Sequence, residues 1–468
     1  MMPRSRNSLF IGLTLAVLVI AGFVFLPYLR PAPEIVQPEN FERIDPAVQA
    51  LIKSKVTAAE VNPRNAGVHG DLGLVYEANL LWEEARLCFE NAADLAPEEL
   101  SWQYHLAISH RQIGDYKQAI EIMQALAGKH PAVPYLQQRI GEALLETGEL
   151  EGAEAAFRKL IDLAPEAAQG YTGLGDVMLQ KEEYPLAAQL LEKAITLDTN
   201  YRHAHYLLGT AYHRLEQVEK ANEHLSKGKA ARVRFLPDPQ SRKLGQYAVN
   251  VTARLQQAEA LLAVGQPKQA AQILELALPY HQDNVTLLNT LAVAYMRIGL
   301  LDEAGQSLRK AEKHDESKFM TYINLSSLAL RQNQAAKALQ FADSAAARAA
   351  KLDQAFFTRA QALDRLERYD EALASLQTAQ QNDPHNPQNF AFAGDIRMKL
   401  DNAANARTLY LKAIELDGNM LPALVGLARA NWKLHRRDEA KTALNNAKRI
   451  APGHPIIRKL EQQFSATK

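Results

Sequence analysis

The sequence predicts an all-α protein, a solenoid of about eleven 34-residue helix-turn-helix repeats preceded by one N-terminal transmembrane helix. Three observations support this prediction: an alanine that recurs with a fixed period, a composition rich in helix-forming residues, and one long apolar run near the N-terminus. No alternating valine- or isoleucine-rich runs bounded by turn residues indicate a sheet. A chain of 468 residues is also too long for one ordinary core, so a repeat array is expected.

The N-terminal element is an uncharged, mostly apolar run over residues 9–29. Its length matches a bilayer core of about 30 Å at about 1.5 Å per residue. Arg4 and Arg6 precede the run, so the positive-inside rule places residues 1–8 in the cytoplasm and the rest of the chain across the membrane. A cleaved signal peptide with Val19-x-Ala21 at its cleavage site is the alternative. The apolar "GFVFLPYL" after that site favours an uncleaved anchor in contact with the lipid bilayer.

Two short segments connect this anchor to the repeats. Residues 30–44 carry Pro31, Pro33 and Pro38 and predict a stiff spacer that holds the array off the membrane. Residues 45–63 predict one helix that ends at Pro63 and caps the first repeat.

The repeats fall into two registers of one period. Ala85, Ala119, Ala153, Ala187 and Ala221 are 34 residues apart, and the same step links Ala270, Ala304, Ala338, Ala372, Ala406 and Ala440. The sequence therefore predicts five repeats over residues 66–235 and six over 251–454, with a C-terminal capping helix and tail over 455–468. Residues 236–250 contain Pro237 and Pro239, which favours a hinge between two arrays, and a functional insert is the alternative.

Numbering each repeat so that this alanine is position 20 aligns further positions. Position 8 is small in every repeat: Gly73, Ala107, Gly141, Gly175, Gly209, Ala258, Ala292, Ser326, Ala360, Gly394 and Ala428. Position 24 is mostly bulky, and position 32 is proline in five repeats. This pattern predicts two antiparallel helices that approach closely at positions 8 and 20, joined by a turn near positions 15–17.

The pattern resembles the tetratricopeptide repeat family across residues 66–454. "DLGLVYEANLLWEEARLCFENAADLAP" over residues 71–97 carries the family's Leu-Gly, Tyr, Ala, Phe and Pro positions, whereas the signature tryptophan at position 4 is absent throughout. The resemblance implies a right-handed superhelix whose first helices line a concave groove that binds protein or peptide partners. The groove positions it implies are Tyr104, Arg111, Tyr135, Gln138, Glu142, His203, Tyr206, His213, Arg214, Asn289 and Arg297.

No residue pattern indicates a catalytic, cofactor or metal site, so we do not expect an enzyme. Cys88 is the single cysteine and has no partner for a disulfide or a zinc site. His203, His205 and His213 lack the spacing of a metal-binding helix. A net charge of zero does not indicate nucleic-acid binding. Residues 66–235 carry 16 Lys/Arg against 25 Asp/Glu and residues 236–468 carry 30 against 23, which leaves self-association open.

Two functions are compatible with these features. The resemblance favours a single-pass scaffold or adaptor in the bacterial inner membrane, with the array in the periplasm and protein partners in envelope assembly, secretion or chaperoning. The alternative is a cytoplasm-facing organiser that regulates envelope biosynthesis. Members of that kind carry a cysteine-rich C-terminal module, which is absent from the terminal "EQQFSATK".

Overall fold

A computed structural model describes residues 31–466. Within this range the chain contains twenty-five α-helices, three short 3₁₀ helices and no β-strand, and it divides into two compact units between Asn250 and Val251. The all-helical repeat fold expected from the sequence is therefore confirmed. The predicted anchor over residues 9–29 lies outside the described residues. Among the helices of residues 31–466, none combines the length and the apolar character that crossing a bilayer requires.

The first unit contains an N-terminal helix, five helix pairs and one short helix near its end. These are α1 (Pro46–Val61), α2 (Ala66–Ala78), α3 (Trp82–Leu95), α4 (Leu100–Gln112), α5 (Tyr116–Lys129), α6 (Pro134–Thr147), α7 (Leu150–Leu163), α8 (Ala168–Gln180), α9 (Tyr184–Leu197), α10 (Arg202–Arg214), α11 (Val218–Lys227) and α12 (Leu244–Tyr247).

The second unit contains six helix pairs and a terminal helix. These are α13 (Val251–Ala263), α14 (Pro267–Ala277), α15 (Val285–Ile298), α16 (Leu301–His314), α17 (Phe319–Arg331), α18 (Ala335–Arg348), α19 (Asp353–Arg365), α20 (Tyr369–Asn382), α21 (Pro387–Lys399), α22 (Ala403–Leu416), α23 (Leu421–Lys433), α24 (Arg437–Ile450) and α25 (Pro455–Ala466). Within each unit, and apart from α12, each helix packs against the next one along the chain, so the cores are made mainly by neighbours in sequence; α12 packs on α2.

Small residues bring the two helices of each repeat close together. The periodic alanine at position 20 is at most 2% exposed in all eleven repeats. In the eighth repeat the Ser326 hydroxyl at position 8 donates to the carbonyl of Ala338 at 2.8 Å, which places positions 8 and 20 side by side. The bulky side chain at position 24 lies directly over position 8: a Cβ added to Gly141 would lie 2.7 Å from the Phe157 ring. Position 8 is therefore small because position 24 fills the space above it.

The same bulky side chain also contacts the following repeat. A Cβ added to Gly173, at position 6 of the fourth repeat, would lie 2.2 Å from the Phe157 ring. A Cβ added to Gly426, at position 6 of the eleventh repeat, would likewise lie 2.3 Å from the Tyr410 ring. Phe157 is fully buried between the two glycines of successive repeats, so one ring closes its own repeat and stacks the next one on it.

The turn inside each repeat has one backbone conformation. Position 15 has positive φ in all eleven repeats, and only four of these residues are glycine: Gly114, Gly148, Gly265 and Gly299. The amide at position 16 donates to the carbonyl at position 11 in every repeat, at 2.8–2.9 Å, as in a Schellman motif. Because this bond satisfies a carbonyl at the end of the first helix, the turn forms even where Leu80 or Glu216 occupies the left-handed position.

The N-terminal segment packs on the first repeat. The Tyr76 hydroxyl donates to the carbonyl of Val36 at 2.9 Å, and Ile35, Phe41 and Ile44 contact the apolar cluster of that repeat. Asp45 caps α1 by accepting from the amide of Ala47 at 2.9 Å. The second half of the predicted spacer, residues 34–44, is thus a packed edge of the array, since it supplies apolar side chains to the core.

We expect Gly173→Ala to destabilise the first unit by about 1–3 kcal/mol, because the new methyl group overlaps the Phe157 ring. Gly128→Ala is the matched control: Gly128 lies in α5 with no atom within 4 Å of an added Cβ, so it is expected to stabilise by about 0.5–1 kcal/mol. Chemical denaturation of both variants checks this, and equal shifts would contradict the packing role of position 6.

We expect Leu80→Gly to stabilise the first unit by about 1 kcal/mol, because an L-residue with a side chain is strained at φ 64° and Leu80 is largely exposed. The reverse change Gly148→Ala, at the same position of the third repeat, is expected to destabilise by a similar amount. Thermal unfolding measures both changes. Stabilisation by Gly148→Ala would show that the left-handed turn does not form in solution.

Candidate protein-binding grooves

The second unit has an open groove along its first helices. Ser327, Leu330 and Arg331 line a cavity of about 430 Å³ together with Gln361, Asp364, Arg365 and Phe392. Phe392 also lines a second cavity of about 620 Å³, which extends to α25. The remaining lining residues of this second cavity are Asp395, Met398, Lys399, Arg429, Trp432, Lys433, Leu460, Gln463 and Phe464. The resemblance implies partner contacts at positions 2, 5, 9, 12 and 13, and positions 9, 12 and 13 supply most of both linings.

Cations form a row along this groove. Position 13 is a cation in five successive repeats: Arg297, Arg331, Arg365, Lys399 and Lys433. All five side chains are exposed. Lys399 pairs with the half-buried Asp364, with its Nζ 2.6 Å and 2.7 Å from the two carboxylate oxygens. Arg429 adds a further exposed cation at position 9. The row gives the groove a positive surface that suits acidic partner segments.

Two of the predicted contact residues, Asn289 and Arg297, lie in the second unit, and both form hydrogen bonds to other residues of that unit. Asn289 is 6% exposed; its Nδ2 donates to the Thr321 hydroxyl at 2.9 Å, and its Oδ1 accepts from Asn324 at 2.9 Å. Arg297 donates to the carbonyl of Leu262 at 2.6 Å, at the end of the preceding first helix. Asn289 therefore links neighbouring helices, whereas Arg297 keeps an exposed side chain at the groove.

The groove of the first unit is occupied by the chain itself. After α11 ends at Lys227, residues 231–239 run without helical structure, followed by a 3₁₀ turn (Gln240–Lys243) and α12. Arg234 contacts Asp198 and Tyr201 at the end of the fourth repeat. Tyr247 reaches the first repeat, where its carbonyl accepts from Asn79 at 2.8 Å. Residues 231–247, the groove segment, thus cross the first helices in the direction opposite to the array.

Gln138 holds the backbone of the groove segment with both ends of its carboxamide. Its Nε2 donates to the carbonyl of Arg234 at 3.1 Å, and its Oε1 accepts from the amide of Leu236 at 2.7 Å. Gln138 is 1% exposed, so these bonds form away from water, where an unpaired carboxamide is unfavourable. The Gln138 side chain therefore bonds both a carbonyl and an amide of an extended backbone.

Two arginines hold the aromatic side chain of the groove segment. The Arg139 guanidinium lies 3.5 Å from the centroid of the Phe235 ring, and that of Arg111 lies 5.8 Å away, both within cation–π range. Arg111 is fixed by Glu146, to which its Nε donates at 2.9 Å. Arg139 also faces the buried Asp238 carboxylate at 3.9 Å.

The next part of the groove segment lies over the second and third repeats. The carbonyl of Gln240 is 3.2 Å from His105 Nε2, and the other ring nitrogen of His105 is 2.8 Å from the buried Glu77 carboxylate. Gln240 donates through its side chain to the Tyr135 hydroxyl at 3.3 Å. Tyr104 is fully buried below, where its hydroxyl accepts from Arg139 at 3.2 Å.

The floor of the groove carries two carboxylates and a histidine. Burial raises the pKa of Glu142 to about 7, and the neighbouring Asp176 carboxylate contributes to this rise. Burial also raises the pKa of Asp176 above its usual range. His203 is half-buried, and burial lowers its pKa. The two carboxylates make this floor acidic, and their raised pKa values leave it less negative at neutral pH than fully ionised side chains would, in contrast to the cationic row of the second unit.

The predicted contact residues of the fifth repeat remain exposed. Tyr206 is 47% exposed, and His213 and Arg214 project at the surface of α10. The groove segment begins beside this repeat and does not cover it. The structure therefore separates the predicted residues into a covered set (Tyr104, Arg111, Tyr135, Gln138), a floor (Glu142, His203), an exposed set (Tyr206, His213, Arg214) and the pair in the second unit.

Sequence reasoning missed several residues that hold the groove segment. His105 and Arg139 occupy position 6, which the family pattern does not place at the groove, and Asn79 occupies position 14. The one available signal was the clustering of Phe235, Leu236 and Asp238 around Pro237, just before Pro239, at the point where the repeat register is interrupted. Within residues 31–466, no cluster of three or more His, Cys, Asp or Glu side chains has the arrangement of a metal site.

Comparison with known proteins identifies relatives for part of the chain. It is 27% identical over 178 residues to the human mitochondrial import receptor subunit TOM70, covering 36% of this chain and 29% of the relative. It is 24% identical over 181 residues to the human protein O-mannosyl-transferase TMTC3, covering 36% of this chain and 20% of that relative. The chain thus spans less than a third of the length of these curated relatives.

Solved structures to which the chain is similar include the yeast Tom70 and the type IV pilus biogenesis factor PilW. The yeast Tom70 structure has a TM-score of 0.40 and 15% identity and covers 86% of this chain and 95% of its own. PilW has a TM-score of 0.41 and 17% identity and covers 45% of this chain and 97% of its own.

Two family models, both described as a tetratricopeptide repeat, match the chain. One matches residues 71–134, 139–202 and 255–318. The other matches residues 353–386 and 388–420, so that the two together cover more than half of the sequence. The helix pairs, the small residue at position 8 and the common turn agree with these matches, and this chain belongs to the tetratricopeptide repeat family.

Proposed function

We propose that the protein is a membrane-anchored scaffold or adaptor that binds protein partners, and that the groove of its second unit is the binding surface in the resting chain. The observation that carries this proposal is the open groove between Ser327 and Phe464, lined by exposed cations. Membership of a family of repeat scaffolds and partial similarity to an import receptor subunit also support protein binding.

The chemistry of the second groove favours an acidic, extended partner segment with apolar side chains. Arg331, Arg365, Lys399 and Lys433 present positive charge at intervals of one repeat, which steers an acidic segment and fixes its register. Phe392 and Trp432 lie between these cations and offer half-buried aromatic surface. Aromatic and arginine side chains are those that most often carry the binding energy of an interface.

The membrane part of the proposal depends on the sequence. We infer that residues 9–29 anchor the chain in a bacterial inner membrane, with residues 1–8 in the cytoplasm and both units in the periplasm, because Arg4 and Arg6 precede the apolar run. A place in envelope assembly, secretion or chaperoning follows from this topology.

The proposed surface predicts where cellular partners crosslink. A photo-crosslinking residue at Gln361, which lines the open groove, is expected to give discrete protein adducts in cells. Gln377 is the control, because it is an exposed glutamine on the second helix of the same repeat. Denaturing gels and mass spectrometry of the adducts make the measurement. Adducts of equal yield at both positions would show that this groove is not the binding surface.

Charge reversal extends the same test. Arg365→Glu is expected to lower the adduct yield at Gln361 by about tenfold, because a like charge opposes an acidic segment. Lys412→Glu is the matched change, since Lys412 is an exposed cation on the second helix α22. An undiminished yield with Arg365→Glu would exclude an acidic partner at this groove.

The proposed topology predicts the activity of C-terminal reporter fusions. Alkaline phosphatase joined after Lys468 is expected to be active in cells, and a cytoplasm-dependent fluorescent protein at the same place is expected to be dark. The variant Arg4→Glu/Arg6→Glu is expected to lower the phosphatase activity and raise the fluorescence, because it removes the positive charges that orient the anchor. A dark phosphatase with a bright fluorescent fusion would favour the alternative, a cytoplasm-facing regulator of envelope biosynthesis.

A further inference from the structure

We propose that the groove of the first unit is a second peptide-binding site, and that the groove segment is its internal ligand, which a partner segment of like chemistry displaces. This inference rests on the proposed function, in which the grooves of the array bind protein partners. It adds the chemical class of a partner and a reason why the first groove is closed in the resting chain.

The groove segment is bound in the way that an extended peptide is bound. None of the amides of residues 232–238 donates to a backbone carbonyl, and two of them, those of Arg234 and Leu236, donate to groove side chains instead. Gln138 bonds the carbonyl of Arg234 and the amide of Leu236, and the Tyr201 hydroxyl accepts from the amide of Arg234 at 3.3 Å. These bonds hold the backbone of the groove segment in an extended conformation and do not depend on the identity of its side chains.

Side-chain contacts then specify the ligand. The Arg234 guanidinium pairs with Asp198 and lies 4.6 Å from the centroid of the Tyr201 ring. Phe235 lies against the guanidinium of Arg139, and Leu236 packs on the apolar cluster of the second to fifth repeats.

Asp238 completes the pattern by facing Arg139 with a carboxylate that is 6% exposed. The groove therefore fits an extended segment in which a basic residue is followed by an aromatic residue, an aliphatic residue, a proline and an acidic residue. The order is that of Arg234-Phe235-Leu236-Pro237-Asp238.

The groove segment combines a small loss of conformational entropy on binding with incomplete burial, which allows it to dissociate from the groove. Leu236 and Asp238 each precede a proline, which restricts both to extended conformations before binding. Taken as whole residues, none from 231 to 250 is fully buried, in contrast to the fully buried alanines of the repeats. Its apolar contacts are thus partial, so release exposes little of the core.

The covalent tether explains why the internal ligand occupies the site by default. A short connection raises the local concentration of a segment to the millimolar range, so a separate peptide must compete with that concentration. Weakening the side chains of the groove segment removes the competitor and leaves the receptor residues unchanged. A full-length chain with a weakened groove segment should therefore bind a separate peptide more tightly than the wild-type chain does.

The experiment measures binding of a fluorescent synthetic peptide of residues 232–247 to full-length protein in detergent by anisotropy. The variant Phe235→Ala/Asp238→Ala is expected to bind the peptide at least about tenfold more tightly than the wild-type chain does, because the internal competitor is weakened. Adding Gln138→Ala to that variant is expected to abolish binding. A peptide with the same composition in scrambled order is the control for non-specific attraction to the acidic floor.

Two outcomes would overturn the proposal. A folded Phe235→Ala/Asp238→Ala variant that binds no peptide would show that the groove segment is structural packing and no ligand. Equal affinity in the variant and the wild type would show that it does not compete for the groove.

A second measurement applies if the variant does not fold. In the wild-type chain, excess peptide is expected to accelerate hydrogen exchange at the amide of Leu236, which Gln138 otherwise protects. An unchanged exchange rate would contradict displacement. Because both readouts use the first unit, their failure leaves the crosslinking test at Gln361 of the second unit unaffected.

Discussion

The close approach of two helices in each repeat, with a small residue at position 8 beneath a bulky side chain at position 24, is the contact on which the rest of the array depends. The ring of Phe157 lies between Gly141 of its own repeat and Gly173 of the next one. Helix pairing inside a repeat and stacking between repeats therefore share one side chain. Because this contact recurs in most repeats, the first helices within each unit remain aligned and their outward positions form a groove in that unit.

The two units use this common frame for grooves with different surfaces. The second unit leaves its groove open and lines it with cations, five of them one repeat apart. The first unit places carboxylates on its floor and covers its first helices with the groove segment. A family that shares one scaffold thus gains selectivity from residues that the packing leaves unconstrained, namely positions 9 and 13.

The sequence predicts the packing well and the grooves poorly, for a physical reason. Packing follows the period of the helices, so Ala85 or Gly141 is recognisable from its spacing alone. The left-handed turn at Leu80 escapes such reasoning, because the local bond from the amide of Leu81 to the carbonyl of Tyr76 outweighs the preference for glycine. The contact of Gln138 with Leu236 joins residues 98 positions apart and has no period. Likewise, Asn289 was expected at the surface of the groove, yet it pairs with Asn324 between neighbouring helices.

The long return of the groove segment also affects how the two units fold. An array of helix pairs has low contact order and unfolds in pieces from its ends, since each pair depends only on its neighbours. In the first unit, Asn79 bonds Tyr247 across 168 residues of chain, and His105 meets Gln240 across 135. These contacts join the segment that follows the fifth repeat to the first and second repeats, which couples the two ends of the unit. The first unit should therefore lose its structure cooperatively, whereas the second frays stepwise.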